Sequence, residues 1–317
     1  MQKTVVITDH GFSDIDHEKA VLEGAGYRLV EAKCTTEDEV IAVAGNADAL
    51  LVQWAPVTRK VIEKLTRCQV IVRYGIGVDN IDLNAARDHG IPVANVPDYC
   101  IEEVATHTLA LALALQRRLL STDGRLRENT WKIIPPGPVK PVSETMFTVL
   151  GLGRIAVSVI RKAKALGFVV AASDPYVDQA TMEQLQVKKL SFEEALAHSD
   201  ILSLHLPLTD ETRHCIRRET IAQVKASAIL VNTSRGGLIN TNELAAALIA
   251  GEVGGAGLDV FEKEPLETDH PLRSAPNTIL TSHTAWYSER SIPLLQKLAA
   301  EEVARILGGA PLKNRIA

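Results

Sequence analysis

Short apolar runs alternate with helical patterns along the first hundred residues. The run Thr4–Thr8 (TVVIT) has the β-branched composition of a strand, and Glu18–Ala25 has helical periodicity before Gly26 ends it. Strands that alternate with helices form βαβ units around a parallel sheet, so we expect one α/β unit here. Its other predicted strands are Tyr27–Ala32, Ala49–Gln53, Val70–Arg73 and Pro92–Val96, and its other predicted helices are Glu37–Ala44, Arg59–Leu65 and Leu83–His89.

A long apolar helix and a proline-rich segment follow this unit. Glu102–Arg118 is predicted as one helix whose Ala- and Leu-rich centre is apolar on almost every side, which is typical of a buried helix. Trp131–Val142 (WKIIPPGPVKPV) contains four prolines, which exclude regular structure. We therefore expect an extended arm or linker there.

A second alternation of strands and helices begins at Phe147. Strand Thr148–Leu150 leads into a glycine turn and a helix that ends near Leu166. This pattern predicts a second doubly wound domain, and the amphipathic helix Pro293–Leu307 is left over to return to the first. The further predicted strands are Phe168–Ala172, Ile201–His205, Ala228–Asn232, Gly255–Asp259 and Thr278–Thr281.

Size, composition and charge narrow the class of protein. A single core stops growing near roughly 250–300 residues, so a chain of 317 residues should form two domains. Its 46% hydrophobic and 23% charged residues are ordinary for a globular protein. Because nucleic acids and anionic membranes require a basic face, the net charge of −5 argues against either partner.

The N-terminus and the cysteines indicate the compartment. The opening sequence MQKTVVITDH has neither an apolar h-region nor a cleavage motif, so we expect no signal peptide and a cytoplasmic protein. The four cysteines are scattered and form no CxxC pair, which predicts reduced thiols rather than a disulfide framework or a metal site. They are Cys34, Cys68, Cys100 and Cys215.

A glycine-rich turn follows the strand Thr148–Leu150. Residues 151–156 read G-L-G-R-I-A, the G-x-G-x-x-A form of the dinucleotide fingerprint, between a strand and a helix as this motif requires. Gly151 permits the tight turn and Gly153 lets the backbone approach a pyrophosphate at the helix N-terminus. Asp174 ends the next strand, 23 positions after Gly151 (174 − 151), where an acid that binds the ribose is expected. No arginine directly follows Asp174, so the pattern favours NAD over NADP.

An arginine, a carboxylate and a histidine each follow a predicted strand of the second domain: Arg235, Glu264 and His283. Because ligands of open α/β sheets bind outside the carboxyl ends of the strands, these side chains can converge on one ligand. Reduction of a keto acid needs an arginine to hold the carboxylate, a histidine to donate the proton, and a carboxylate to orient that histidine. Glu262 and Glu267 compete with Glu264 for the last role.

Together these motifs resemble the D-isomer-specific 2-hydroxyacid dehydrogenases nearly from end to end, although Ala156 replaces the commoner third glycine. The resemblance implies that Arg235, Glu264 and His283 are catalytic and that the cofactor is NAD. It also implies a substrate loop at residues 73–82, whose backbone N–H groups meet the substrate carboxylate. The implied cofactor contacts are Gly151, Gly153, Arg154, Ile155, Asp174, Leu206, Thr212, Thr233 and Asp259, and the implied substrate contacts are Arg73, Tyr74, Gly75, Ile76 and Trp286.

The domain plan follows from the same resemblance. It implies two doubly wound parallel-sheet domains: a flavodoxin-like substrate domain, residues 1–100 and 286–317, and an inserted NAD-binding Rossmann domain, residues 101–285. The family forms homodimers through the cofactor domain, which suits the apolar helix and the proline-rich arm. Closure of the cleft would exclude water from the reaction.

We therefore expect reversible hydride transfer between NAD(H) and a 2-keto or 2-hydroxy acid. Two alternatives stay open. His283–Trp286 and Arg73 also resemble the C-terminal binding proteins, NAD(H)-responsive corepressors that retain the dehydrogenase site. The other alternative is a 3-phosphoglycerate dehydrogenase, in which Arg73 would contact the phosphate.

Overall fold

The computed structural model describes residues 2–317, and every strand pair within its two sheets is parallel. Contacts divide the chain into two compact units, Met1–Cys100 with Tyr287–Ala317 and Ile101–Trp286. The prediction of two parallel-sheet α/β domains is thereby confirmed.

Strands and helices alternate through both units. The strands are β1 (Thr4–Ile7), β2 (Arg28–Glu31), β3 (Ala49–Val52), β4 (Ile71–Arg73), β5 (Val93–Ala94), β6 (Met146–Leu150), β7 (Val169–Ser173), β8 (Lys188–Lys189), β9 (Ile201–Leu204), β10 (Ile229–Asn232), β11 (Gly255–Leu258) and β12 (Thr278–Leu280). The helices are α1 (Asp16–Leu22), α2 (Glu37–Ala44), α3 (Arg59–Ile62), α4 (Leu83–Asp88), α5 (Ile101–Gln116), α6 (Leu119–Arg127), α7 (Arg154–Ala165), α8 (Gln179–Gln184), α9 (Phe192–His198), α10 (Arg218–Ile221), α11 (Thr241–Ala250) and α12 (Ser291–Leu307).

The first unit contains a five-stranded sheet in the order β2-β1-β3-β4-β5. This is the flavodoxin-like order, in which the direction of winding reverses between β1 and β3. All four residues of β3 are buried, as expected for a central parallel strand covered on both faces. The C-terminal helix α12 packs on α1 and against β3 and β4, so the end of the chain completes this unit.

The second unit contains a seven-stranded sheet in the order β12-β11-β10-β9-β6-β7-β8. This is the Rossmann order with one additional strand, and winding reverses between β6 and β9. Strand β11 (GAGL) is rich in small residues because helix α5 crosses the strand closely. A β-carbon on Gly257 would lie 2.9 Å from Leu111 Cβ, so a larger residue would separate helix and sheet.

Helix α5 is buried on one face within its own unit. That face packs against α7, β10 and β11, whereas Glu102, Thr106 and Ala110 on the opposite face are exposed in the single chain. Burial of the helix on its remaining sides, between domains or subunits, stays a prediction. None of the helices in residues 2–317 combines the length and apolar character needed to cross a membrane.

Candidate active site

The glycine turn between β6 and α7 has the geometry that a pyrophosphate requires. Gly151 has a φ of +86°, which disfavours any side chain, and its N–H donates to Ser173 O at 2.8 Å. A β-carbon on Gly151 would lie 2.8 Å from His205 O, whereas one on Gly153 would meet no atom within 4 Å. The turn is thus closed toward the sheet and open at the N-terminus of α7, where free N–H groups can bind an anion.

Asp174 follows β7 and lies beside this turn. Its Oδ2 accepts a hydrogen bond from Leu152 N at 2.8 Å, and its Oδ1 accepts one from Tyr176 N at 2.9 Å. An ionised carboxylate has about four acceptor positions, so lone pairs remain for two ribose hydroxyls. The position and chemistry of Asp174 fit the ribose acid of a dinucleotide site.

The other predicted cofactor residues lie at the same carboxyl edge of the seven-stranded sheet. Leu206 follows β9, and one of its methyl groups lies 3.1 Å from the position of a β-carbon on Gly151. Thr212 closes the next loop, because its Oγ1 donates to Pro207 O at 2.6 Å. Thr233 follows β10 and is 2.8 Å, oxygen to oxygen, from the hydroxyl of Thr108 on α5. Arg154 and Ile155 form the first turn of α7.

The structure joins His283 to Glu264 directly. His283 Nδ1 is 2.7 Å from Glu264 Oε2, and the second carboxylate oxygen of Glu264 accepts from Phe261 N at 3.0 Å. Both residues lie in loops at the carboxyl ends of the neighbouring strands β11 and β12. Because the carboxylate accepts at Nδ1, the ring presents Nε2 to a reactant.

Arg235 lies in the adjacent loop, after β10. Its Nη1 donates to Ser234 O at 2.7 Å. The next residue, Gly236, is pressed against the loop of Glu264: a β-carbon there would lie 1.9 Å from the carbonyl carbon of Phe261. Glycine is therefore required for the two loops to meet, and this contact brings a cation near the pair of His283 and Glu264.

Electrostatics favour the charged form of Glu264. Burial raises the pKa of this carboxyl, but the hydrogen bond and charge of His283, the Phe261 N–H and the charge of Arg235 together lower it below its ordinary range. Glu262 binds Thr241 and His214 instead, and Glu267 pairs with Lys263 at 3.0 Å. Of the three candidate glutamates, only Glu264 contacts His283.

Sequence reasoning did not single out His205. Burial lowers the pKa of this histidine to about 4, and its Nε2 is 2.9 Å from Ser203 Oγ. It stays neutral at physiological pH and its backbone carbonyl forms the wall behind Gly151. The sequence could have singled out His205 because it directly follows β9, at the sheet edge that carries the other candidate residues.

The predicted substrate loop lies at the carboxyl end of β4 in the first unit. Gly75 has a φ of +135°, and its N–H donates to Arg73 O at 2.9 Å. A β-carbon on Gly75 would lie 1.6 Å from Arg73 Nη1, so the guanidinium folds over this glycine. Ile76 O accepts from Asn95 Nδ2 at 2.6 Å, which ties the loop to β5.

Tyr74 differs from the other residues of this loop. Its side chain is 1% exposed, and its hydroxyl donates to the buried Glu18 Oε1 at 2.8 Å. The phenol belongs to the core of the first unit and offers no surface to a substrate. Trp286, the remaining predicted substrate contact, is half-buried and follows the loop of His283 in the second unit.

Known proteins share this architecture. Residues 109–285 match the family described as D-isomer specific 2-hydroxyacid dehydrogenase, NAD binding domain. A D-3-phosphoglycerate dehydrogenase of Methanocaldococcus jannaschii is 38% identical over 302 residues, which cover 94% of this chain but 57% of the relative. The chain thus spans little more than half the length of that curated relative.

Two solved structures superpose on nearly the whole chain. The TT0316 protein from Thermus thermophilus is 31% identical with a TM-score of 0.86, covering 99% of this chain and all of that one. A D-lactate dehydrogenase from Aquifex aeolicus, complexed with NAD and lactic acid, is 28% identical with a TM-score of 0.88, covering 96% of each chain. The chain belongs to the D-isomer specific 2-hydroxyacid dehydrogenase family.

Proposed function

We propose that this chain is an NAD-dependent oxidoreductase that interconverts a 2-keto acid and a D-2-hydroxy acid. The observation that carries the proposal is the contact of 2.7 Å between His283 Nδ1 and Glu264 Oε2, on the same sheet edge as Arg235. A histidine backed by a carboxylate and flanked by an arginine is what hydride transfer to a keto acid requires. The chain's similarity to a D-3-phosphoglycerate dehydrogenase and a D-lactate dehydrogenase supports the same activity.

NAD is the proposed cofactor, and its nicotinamide supplies or accepts the hydride when bound. The open turn at Gly153 and the N-terminus of α7 would hold the pyrophosphate, and Asp174 would hold the ribose. A 2′-phosphate would meet the negative charge of Asp174, which is why we propose NAD rather than NADP. Arg154, Ile155, Leu206, Thr212 and Thr233 are proposed to complete the site. Asp259 is 1% exposed and accepts from Thr284 N and Ala285 N, so it would support the site through the turn that carries His283.

Each catalytic side chain has one proposed task. Arg235 holds the substrate carboxylate and carbonyl through paired N–H donors. His283 donates the proton from Nε2 as the alkoxide develops, and it removes that proton in the oxidation direction. Glu264 accepts the Nδ1–H, which orients the ring and stabilises the imidazolium. In the substrate loop, the N–H of Ile76 is the proposed carboxylate donor, because the N–H of Gly75 bonds to Arg73 O.

The direct test is NADH oxidation by the purified chain with glyoxylate, hydroxypyruvate, pyruvate, phenylpyruvate, 4-methylthio-2-oxobutyrate and 3-phosphohydroxypyruvate. Turnover of at least one is expected, and His283→Ala should lower kcat roughly 10²–10⁴-fold. An undiminished rate in that variant would refute the assignment of His283. Binding of NADH without turnover of any keto acid would favour an NAD(H)-responsive binding protein of the corepressor type.

A phosphorylated keto acid is a second candidate substrate. Two observations favour it: the guanidinium of Arg73 lies over the substrate loop, and the relative from M. jannaschii is named a D-3-phosphoglycerate dehydrogenase. Comparing kcat/KM for hydroxypyruvate and 3-phosphohydroxypyruvate tests this candidate. Equal values for both, unchanged in Arg73→Ala, would exclude a role for the phosphate.

We propose that the chain forms a homodimer through its second unit. The segment after α5 exposes large apolar side chains to solvent: Leu119 is 55% exposed, Trp131 81% and Ile133 91%. Large apolar side chains that are exposed along one segment favour a protein interface there. Light scattering should show a dimer that Ile133→Asp dissociates, whereas Ile249→Asp, on the exposed face of α11, should not. A monomeric wild type would refute the dimer.

The cysteines support the proposed cytoplasmic location. All four are free thiols, which the cytosol keeps reduced. Burial raises the pKa of Cys68 to about 12 and that of Cys215 to about 11, so these two thiols are unreactive at neutral pH. Cell fractionation tests the location.

A further inference from the structure

We propose that His107 and Thr281 are positioning residues for His283, acting through the carboxylate of Asp259. This proposal rests on the dehydrogenase function proposed above, and all four residues lie in the second unit. His107 belongs to α5, more than 170 residues from His283 in the chain, and the sequence pattern assigned it no role.

The backbone at His283 needs external support. Its φ is +55°, in the left-handed region that residues other than glycine rarely occupy. Three backbone bonds hold this turn to Asp259: His283 N donates to Asp259 O at 2.7 Å, and Thr284 N and Ala285 N donate to the carboxylate at 2.9 Å each. The direction of the imidazole therefore depends on where that carboxylate lies.

The carboxylate of Asp259 also accepts a hydrogen bond from a side chain outside the turn. It is 1% exposed, and its Oδ1 accepts a hydrogen bond of 2.5 Å from Thr281 Oγ1. A buried carboxylate depends on each of its donors, because no water replaces a lost one. Bonds of this length are typical of a hydroxyl that donates to a charged acceptor.

His107 completes the chain of contacts. Its Nε2 lies 3.0 Å from Thr281 Oγ1 and 3.7 Å from Asp259 Oδ1. Since the Thr281 hydroxyl gives its proton to the carboxylate, it must accept one from His107, which places a proton on Nε2. The contacts run from α5 through Thr281 and Asp259 to the turn that carries His283. We name His107, Thr281 and Asp259 the α5 brace.

Helix α5 is a firm base for the brace. The neighbouring Thr108 is fully buried, and its hydroxyl contacts Thr233 Oγ1 at 2.8 Å, beside β10. Loss of the Thr281 hydroxyl would remove the link between this helix and Asp259 while leaving Arg235 in its own loop. We therefore expect a fall in kcat with little change in KM for the keto acid.

The test compares substitutions of nearly equal size. Thr281→Val removes the hydroxyl and should lower kcat roughly 10- to 100-fold, the range for a hydrogen bond to a buried charge. Thr281→Ser keeps the hydroxyl and should stay within about threefold of wild type, and His107→Phe should resemble Thr281→Val. Thr278→Val is the matched control, because that hydroxyl bonds to Ala275 O at 2.8 Å, away from the turn.

A second background separates positioning from simple damage to the fold. If Thr281 acts through His283, then Thr281→Val should have almost no effect on the residual rate of His283→Ala. An equal fall in both backgrounds would overturn the proposal, and so would a wild-type rate in Thr281→Val.

Hydrogen exchange distinguishes failure of the brace from failure of the proposed function. The peptide that covers residues 281–287 should exchange faster in Thr281→Val than in wild type or Thr278→Val, whether or not any keto acid is turned over. Faster exchange in an inactive chain would keep the brace and reject the dehydrogenase. Unchanged exchange would reject the brace.

Discussion

The contact between Glu264 and His283 can be tested by removing one charge. Glu264→Gln keeps the size and planarity of the side chain but replaces the carboxylate by a neutral amide. The amide can still contact Nδ1, so the ring should stay in place while the stabilisation of the imidazolium is lost. Reduction of the keto acid should suffer more than cofactor binding.

The structure sets the size of this effect. A hydrogen bond of 2.7 Å between imidazolium and carboxylate is charge-assisted, which is worth roughly 1.5–3 kcal/mol when buried. The two side chains are 41% and 37% exposed, so solvent screens the pair and about 1 kcal/mol, the upper value for an exposed ion pair, applies. At about 1.36 kcal/mol per decade, kcat for reduction should fall about fivefold.

The pH dependence has a definite sign. The pKa of Glu264 lies below its ordinary value, so its charge is complete above that value and is lost only as pH falls through the lowered pKa. At neutral pH Glu264 is therefore charged in the wild type, whereas the amide of the variant carries no charge. Because the amide cannot stabilise the imidazolium, the decline of keto-acid reduction at high pH should begin at lower pH in Glu264→Gln.

Steady-state rates across pH, with the best keto acid, measure both effects. Glu267→Gln is the control, since Glu267 pairs with Lys263 and not with His283. Equal kcat values and superimposable pH profiles for wild type and Glu264→Gln would refute the reasoning. So would a comparable loss in Glu267→Gln.

Three further predictions concern single positions. Gly151→Ala should raise KM for NADH at least about tenfold, because Gly151 has a φ of +86° and a β-carbon there would lie 2.8 Å from His205 O. Gly90→Ala is the control: Gly90 also has a positive φ but no atom within 4 Å of its β-carbon, so its melting temperature shows the cost of backbone strain alone. Asp174→Asn should narrow the ratio of kcat/KM for NADH over NADPH by roughly tenfold, and an unchanged ratio would contradict the role of its charge. Burial raises the pKa of Glu18 above 4.5, so the stability that Glu18 contributes is complete below that value and is lost as pH rises through the raised pKa. The melting temperature of Glu18→Gln should therefore rise relative to that of wild type as pH increases. A difference in melting temperature that stays constant with pH would contradict this.

Local signals explain which elements the sequence could predict. Helix α2 has the predicted bounds because it begins with a capping box. The Thr36 side chain accepts a hydrogen bond from Glu39 N, and the Glu39 carboxylate accepts one from the Thr36 N–H, so the signal lies within four residues. Helix α6 was not predicted. It follows Arg118 in a left-handed conformation, has no side-chain cap, contains Gly124 and buries no residue. A helix without a cap and without a buried apolar face carries only a weak signal.

The candidate site, too, could be predicted only in part from local signals. Arg235, Glu264 and His283 could be predicted in type and order because each follows an apolar run that marks a buried strand, and parallel strands bring their carboxyl ends together. The strand pattern alone left Glu262 and Glu267 as competitors of Glu264, since Glu262 and Glu264 are two positions apart in one loop, and only the family resemblance implied Glu264. Only the folded loop turns Glu264 toward His283 and Glu262 toward Thr241 and His214.

Residues that position catalytic side chains, rather than contact a ligand, carry no comparable signal in the sequence. Asp259 could be predicted because it ends a strand, but its bonds to Thr284 and Ala285 depend on the turn beyond β12. His107 reaches Thr281 across 174 positions, because α5 crosses the carboxyl edge of the sheet. Groups that contact a ligand gather at strand ends and follow the topology, whereas the groups that orient them are selected by the packing of one helix on that edge. The α5 brace is therefore a property of the fold, and testing it requires variants that leave the predicted catalytic residues unchanged.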